Sequence, residues 1–297
     1  YAEHPLTVLL IYAAIYTTLG CPYKCSFCCI QAPFKEGERA GGSNGVSNSY
    51  RYWSPQRVVD DLTMLVEKHG VRNVKFADEM FVLSRGHVNA ICDKIVERGL
   101  KLNIWAYARV DTVRSDAMLD KLAAAGFRWL AFGIESANEK VRDDVQKGYD
   151  QGDIVKALDR VRSRGISVIG NYIFGLPEDD RATMQETLDL SLDLNCEFAN
   201  FYCAMAYPGS QLYVQAQKEN WALPDSWIGY SQHAYESLPL RTKHLSAGEV
   251  LTFRDKAFVT YFTNPRYLDM VKAKFGGAVH TEIKGMLAHT LKRKHAA

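Results

Sequence analysis

Short runs of β-branched and aromatic residues alternate with amphipathic stretches along most of this chain, and that alternation restricts the fold more than any other feature. Strand and helix in repeated succession build a parallel sheet from βα units. Residues 14–18, 73–77, 102–108, 129–134, 167–174 and 198–204 read as six strands. Between them, Ser54-Pro55 supplies a cap and a proline at the first helical position. Val58, Val59, Leu62, Leu65 and Val66 then form one apolar face. Further helices run over 86–98, from Ser115 to near Gly126, through Leu158 and Val161 to Gly165, and over 184–194. Six βα units fall short of the eight of a complete barrel. The expected fold is α/β, a partial (β/α)6 TIM-type barrel. Past Gln215 the alternation stops. Trp221, Trp227 and Tyr230 lie in a turn-rich stretch, and helices are expected over 250–261, 266–275 and 281–292. The chain therefore divides into a barrel, residues 1–214, and a C-terminal helical extension, residues 215–297, able to close the barrel's open side.

Lys+Arg 36 against Asp+Glu 34 leaves a net charge of +2, which excludes a general polyanion-binding field. The Lys292-Arg293-Lys294-His295 run reads as a solvated helix end, so nucleic acid is not an expected partner. The apolar segment 6–16 is far shorter than the ~20 residues that span a bilayer. It lacks a basic leader and a cleavage site, which argues against a signal peptide and for a buried first strand. No transmembrane segment is expected. The first residue is Tyr1 rather than methionine, so the chain reads as a segment of something longer.

The chemistry is concentrated in Gly20-Cys21-Pro22-Tyr23-Lys24-Cys25-Ser26-Phe27-Cys28-Cys29. Its spacing is C-x3-C-x2-C, with an aromatic before the third cysteine. Three thiolates can hold three corners of a 4Fe–4S cube, where four would close it. The uncapped iron is then open to a cosubstrate, as in other catalytic metal sites. A structural zinc site needs a fourth ligand, but Cys29 is adjacent to Cys28 and no histidine lies between His4 and His69. Seven cysteines in 297 residues make a poor disulfide framework. Cys92, Cys196 and Cys203 read as buried small hydrophobes, and Cys29 as packing. A long polar loop follows, with residues 38–45 at its middle.

In barrels of this kind function gathers at the C-terminal strand ends. Here those ends carry the cysteine loop, Asp78-Glu79, Arg109, Glu135-Ser136, Asn171 with Tyr172, and Tyr207-Pro208-Gly209. Tyr172, Tyr202 and Tyr207 are candidates to face a substrate.

The cysteine loop closely resembles the iron–sulfur signature of the radical S-adenosylmethionine (radical SAM) enzymes, whose shared core is a partial (β/α)6 barrel. The resemblance implies that Cys21, Cys25 and Cys28 ligate a 4Fe–4S cluster and that Phe27 lies against the adenine of S-adenosylmethionine. Asp78-Glu79 stands where the family often has Gly-Gly-Glu, whose carboxylate accepts a hydrogen bond from the methionyl ammonium. With Ala77-Asp78 in place of the glycines, either carboxylate could serve. Glu135-Ser136 matches the fourth-strand motif near the ribose and methionyl carboxylate. Ile173-Phe174-Gly175 matches the fifth-strand segment that brackets adenine. Arg109 could fork onto the methionyl carboxylate, or pair structurally with Asp111 or Glu135.

The segments Phe76-Ala77-Asp78-Glu79-Met80-Phe81, Gly133-Ile134-Glu135-Ser136-Ala137, Gly175-Leu176-Pro177-Glu178 and Tyr207-Pro208-Gly209-Ser210 resemble the catalytic part of the cobalamin-binding radical SAM group. So does the C-terminal stretch from Tyr235-Glu236-Ser237-Leu238-Pro239 through Asn264-Pro265-Arg266-Tyr267-Leu268. Members methylate unactivated carbons, close rings or rearrange natural products and lipids. Their cobalamin sits on a separate N-terminal domain, and no Asp-x-His-x-x-Gly pattern occurs here. The resemblance implies reductive cleavage of S-adenosylmethionine to a 5′-deoxyadenosyl radical, which abstracts hydrogen from a small-molecule or lipid substrate. A reductant such as flavodoxin or ferredoxin and a reducing cytoplasm suit that chemistry. Two alternatives stand beside it. An RNA-modifying, methylthiotransferase-like enzyme would carry extra cysteines and a basic domain. A non-catalytic Fe–S electron-transfer module would leave Asp78-Glu79 and Glu135-Ser136 without a role.

Overall fold

A computed structural model describes residues 12–30 and 50–297 of the chain. Residues 6–11 of the apolar segment and the polar loop at 38–45 lie outside them. Six strands form a parallel sheet in consecutive order: β1 (Tyr12–Ile15), β4 (Asn73–Phe76), β5 (Asn103–Ala108), β6 (Phe127–Glu135), β7 (Ser167–Phe174) and β8 (Phe198–Cys203). Consecutive order with right-handed crossovers sends the connecting helices to one face of the sheet. The alternating burial of the strands agrees. In β5, Ile104, Ala106 and Ala108 are buried, whereas Trp105 and Tyr107 are half-buried on the other face. The expected fold class is the observed one.

The chain forms two compact units. The first comprises Tyr1–Pro22, Gly41–Phe132 and Gly152–Val168. Its helix α1 (Pro55–His69) starts as the sequence dictates: the Ser54 hydroxyl accepts from the Arg57 amide, Pro55 opens the first turn, and Gly70 ends the helix with φ 66°. Helices α2 (Arg85–Glu97) and α3 (Asp116–Ala124, capped by Ser115) follow. The second unit comprises Tyr23–Ala40, Gly133–Gln151 and Ile169–Ala297. It holds α4 (Glu139–Asp144), α6 (Arg181–Leu194), α7 (Gln211–Lys218), α8 (Ala247–Phe262), α9 (Pro265–Phe275) and α10 (Gly277–Leu287). Helix α5 (Gln151–Arg162) buries Leu158 and Val161.

Four expectations change. The run 14–18 is not one strand. β1 ends at Ile15, and Thr18–Leu19 forms a separate strand, β2, antiparallel to β3 (Arg51–Tyr52). The Thr17 and Thr18 amides both donate to the carboxylate of Asp78, which draws this stretch off the parallel ladder with β4. The last helix spans 277–287 rather than 281–292. In its basic tail Lys292 and Lys294 are exposed as expected, but the Arg293 side chain is only 3% exposed, paired with Asp255 and bonded to the Gln232 and Ala234 carbonyls. Finally, Tyr172 does not face a substrate: it is fully buried and stacked on Phe201 with centroids 5.3 Å apart.

Candidate active site

In the first unit, β4 ends at Phe76 and delivers Asp78 and Glu79 to different environments. Asp78 is fully buried. Its Oδ1 accepts from the Thr17 amide at 2.6 Å, the Thr18 hydroxyl at 2.9 Å and the Thr18 amide. Its Oδ2 accepts from the Thr17 hydroxyl at 3.1 Å. Burial pushes the Asp78 carboxyl up, and these four donors pull against it. Glu79 is half-buried, and one oxygen accepts from the Gly20 amide at 3.1 Å. Burial raises its carboxyl as well, opposed by that amide. Asp78 thus shapes the approach to the cysteine loop, while Glu79 keeps acceptor capacity beside Gly20. At the end of β5, Arg109 forks onto Asp111, with Nε–Oδ1 3.0 Å and Nη2–Oδ2 3.3 Å. Of the alternatives open in the sequence, its structural pair is therefore Asp111, and Glu135 has a different cation.

In the second unit, the cysteine loop is sewn to its surroundings by backbone. The Ser26 amide donates to the Val145 carbonyl at 3.2 Å, the Leu212 amide donates to the Ser26 carbonyl at 3.0 Å, and the Cys28 amide donates to the Cys25 carbonyl at 3.0 Å. The Cys25 thiol donates to the Gln146 carbonyl at 3.9 Å. Phe27 is half-buried and packs against Val141, Val145, Leu176 and Ala204, as Ile173 also does. Two of the residues assigned to adenine thus meet on one apolar patch.

Strand β6 ends in Glu135, buried and held at φ 64°. A non-glycine residue in this left-handed region costs on the order of 1–2 kcal/mol and marks a constrained site. The constraint is an ion pair with Lys147; both side chains are 7% exposed. Burial opposes the charge on Lys147, but the Glu135 carboxylate raises its basicity overall, with further help from Tyr149 and Cys25. Lys147 also lies over the Phe27 ring, 5.8 Å from its centroid. Gly133 gives this pair room, since a Cβ there would crowd Oε1 of Glu135 and Nζ of Lys147. Ser136 is fully buried, and its hydroxyl shares a 3.2 Å hydrogen bond with Thr187. The Arg142 guanidinium donates to the Ser136 and Ala137 carbonyls, each at 2.7 Å, and to the Tyr149 carbonyl at 2.8 Å.

At the end of β7, Gly175 adopts φ 82°, and a Cβ there would strike Val250. Asp179 accepts from the Gly175 and Leu176 amides, each at 3.0 Å, and from the Thr183 hydroxyl at 2.7 Å. Burial nevertheless pushes its carboxyl up to about 6. Sequence reading missed Lys147, Arg142 and Asp179. Lys147 follows a one-and-a-half-turn helix, so no periodic signal ties it to Glu135 twelve residues earlier.

Cys21, Cys25 and Cys28 are half-buried, and none is in a disulfide. Among the described residues, no group of three or more Cys, His, Asp or Glu is drawn into a metal-ligating arrangement. The loop's chemistry nonetheless fits an iron–sulfur cluster. Its donors are thiols, and the Ser26 hydroxyl between the second and third of them is buried with no hydrogen-bond partner among the described residues. Such an orphan calls for an acceptor seated on the loop.

The profile of the Radical SAM superfamily matches residues 15–191, more than half of the chain. The chain belongs to the radical SAM superfamily. That membership makes it an enzyme of this class, with a 4Fe–4S cluster and S-adenosylmethionine as the family's cofactors. An uncharacterized methyltransferase of Pyrococcus horikoshii is 25% identical over 279 residues, covering 93% of this chain and 57% of the relative. An anaerobic magnesium-protoporphyrin IX monomethyl ester cyclase of Cereibacter sphaeroides is 27% identical over 235 residues, covering 78% and 36%. Among solved structures, the cobalamin-dependent S-adenosylmethionine radical enzyme OxsB, with aqua-cobalamin and S-adenosylmethionine bound, superposes with a TM-score of 0.63. It is 15% identical and covers 91% of this chain and 45% of that one. The radical SAM methyltransferase TsrM of Kitasatospora setae, with cobalamin and a [4Fe–4S] cluster, gives 0.59 at 21% identity, covering 70% and 37%. These likenesses establish the radical SAM fold. The chain spans about half or less of the length of these relatives. Among the described residues, no helix is long and apolar enough to cross a membrane.

Proposed function

We propose that this chain is the catalytic part of a methyltransferase- or cyclase-type radical SAM enzyme acting on a small molecule or lipid. The observation that carries this reading is the family match, which spans the cysteine loop and every strand end through β7. Cys21, Cys25 and Cys28 hold the cluster. When bound, the cluster and S-adenosylmethionine supply one-electron chemistry that ends in hydrogen abstraction from a substrate carbon.

The protein's part is to bind and orient. Glu79, rather than Asp78, accepts the methionyl ammonium, because the lone pairs of Asp78 are committed to Thr17 and Thr18. Lys147 meets the methionyl carboxylate, since it holds its proton, lies over Phe27 and reaches Cys25 electrostatically. Glu135 then turns an oxygen to the ribose. Ser136 and Arg142 hold the loop that carries Glu135, and Arg109 with Asp111 shapes the end of β5. Phe27, Ile173 and the Gly175 backbone enclose the adenine, with Asp179 fixing the Gly175 turn. The barrel over 1–214 carries this chemistry, and 215–297 is its helical extension. Several relatives are methyltransferases or cyclases, and OxsB and TsrM bind cobalamin. A cobalamin domain outside these 297 residues is the corresponding expectation. The setting is cytoplasmic, with flavodoxin or ferredoxin as reductant.

The test is anaerobic reconstitution with iron and sulfide, followed by S-adenosylmethionine and a strong reductant. 5′-Deoxyadenosine should form with the wild type and not with Cys25→Ala. An intact 4Fe–4S cluster whose spectrum does not respond to S-adenosylmethionine, with no product, refutes the reading.

A further inference from the structure

Within the first unit, the half-exposed face of the sheet has an unusual composition. Lys75, in the middle of β4, projects from it, and its ammonium lies 4.4 Å from the ring centroid of Trp105 and 5.6 Å from that of Tyr107. Those two rings meet edge to face at 5.2 Å. The register puts Lys75 in one row with Ala14 on β1 and with Trp105 and Trp129 on β5 and β6. Tyr107 is in the next row, beside Ala131. Tyr12 and Tyr16 stand at the β1 edge, 53% and 50% exposed, close enough to help raise the Tyr107 hydroxyl, which burial chiefly pushes up.

Among the described residues, Lys75 has aromatic neighbours and no carboxylate partner. Three other cations of this unit do pair with acids: Arg57 with Asp61, Arg98 with Asp60 and Lys121 with Asp93. A half-buried ammonium held against aromatic faces gains cation–π attraction, and among the described residues no anion meets it. Ala14, exposed beside it on β1, leaves room where a larger side chain would close the face.

We propose that this face binds a planar aromatic substrate bearing an anionic group, carboxylate or phosphate. The flat body lies along Trp105 and Tyr107, and the anion meets Lys75. Rings and edges of this kind favour flat guests, and one charge-assisted contact fixes orientation. The inference rests on the reading of the chain as a small-molecule enzyme and names the class of molecule it takes.

The experiment is ligand-observed NMR titration of the full chain with three probes: 2-naphthoate, neutral 2-naphthylmethanol and non-planar cyclohexanecarboxylate. The wild type should bind 2-naphthoate in preference to the other two. Lys75→Met should weaken 2-naphthoate about tenfold and leave 2-naphthylmethanol unchanged. Trp105→Ala should weaken both aromatic probes, and a thermal melt shows whether each variant is folded. If Trp105→Ala fails to fold, Lys75→Met decides alone. Equal binding of 2-naphthoate by wild type and Lys75→Met overturns the proposal, as does equal loss of both aromatic probes or no binding of any. Because the readout needs neither cluster nor S-adenosylmethionine, its failure is separable from failure of 5′-deoxyadenosine formation.

Discussion

Replacing Lys147 with methionine removes one member of a buried ion pair and leaves the other in place. Glu135 is 7% exposed, so its carboxylate cannot recover the lost partner from water. Breaking such a pair costs about 3–5 kcal/mol. Lys147→Met should accordingly be destabilised by about 3 kcal/mol or more at pH 7, on the order of a hundredfold or more in the ratio of folded to unfolded protein. Urea denaturation of the cluster-free protein measures this. Adding Glu135→Gln to Lys147→Met should recover most of the loss at pH 7. A cost below about 1 kcal/mol at pH 7 would show that the pair is not the buried, mutually dependent unit described here.

The two carboxylates after β4 should separate by phenotype. Asp78→Ala orphans the Thr17 and Thr18 amides and should cost about 3 kcal/mol or more in a thermal or urea melt, whereas Glu79→Gln should melt like the wild type yet form little 5′-deoxyadenosine. Gly175→Ala combines a left-handed backbone with an overlap on Val250 and should lose about 2 kcal/mol or more; adding Val250→Ala should recover the overlap and not the backbone strain, by urea denaturation. Burial raises the Asp179 carboxyl to about 6, so its contribution to stability is present at about pH 4 and lost as pH rises through about 6. The Asp179→Asn variant should lack that loss between pH 4 and 7, measured as denaturation midpoints.

The strand–helix alternation was legible because each strand run and each serine cap is a local signal. Ser54, Ser115 and their helices stand where the periodicity places them. The failures share one cause, contact between residues distant in sequence. Asp78 splits the first strand from 60 residues away. Asp255 pulls Arg293 out of a basic run that looks solvated. Tyr172 sits at a position of β7 whose parity, set by which face of the sheet is covered, turns it inward. The cysteine loop and Glu135 were legible through spacing and short motifs. Lys147 was not, because only the fold returns it to Glu135, and the room that Gly133 leaves for that pair becomes visible only once the pair is in place.

The cysteine loop is fastened by main-chain hydrogen bonds at Ser26 that make no use of the thiols. These bonds need no iron to form, so the second half of the loop should hold its shape in the cluster-free protein. Cluster delivery then resembles loading a prepared socket rather than folding around a metal, unlike small domains whose structure appears only with the ion. Loss of the cluster to oxygen should accordingly leave an intact, reloadable protein, with the amides of Ser26 and Leu212 still slow to exchange with solvent.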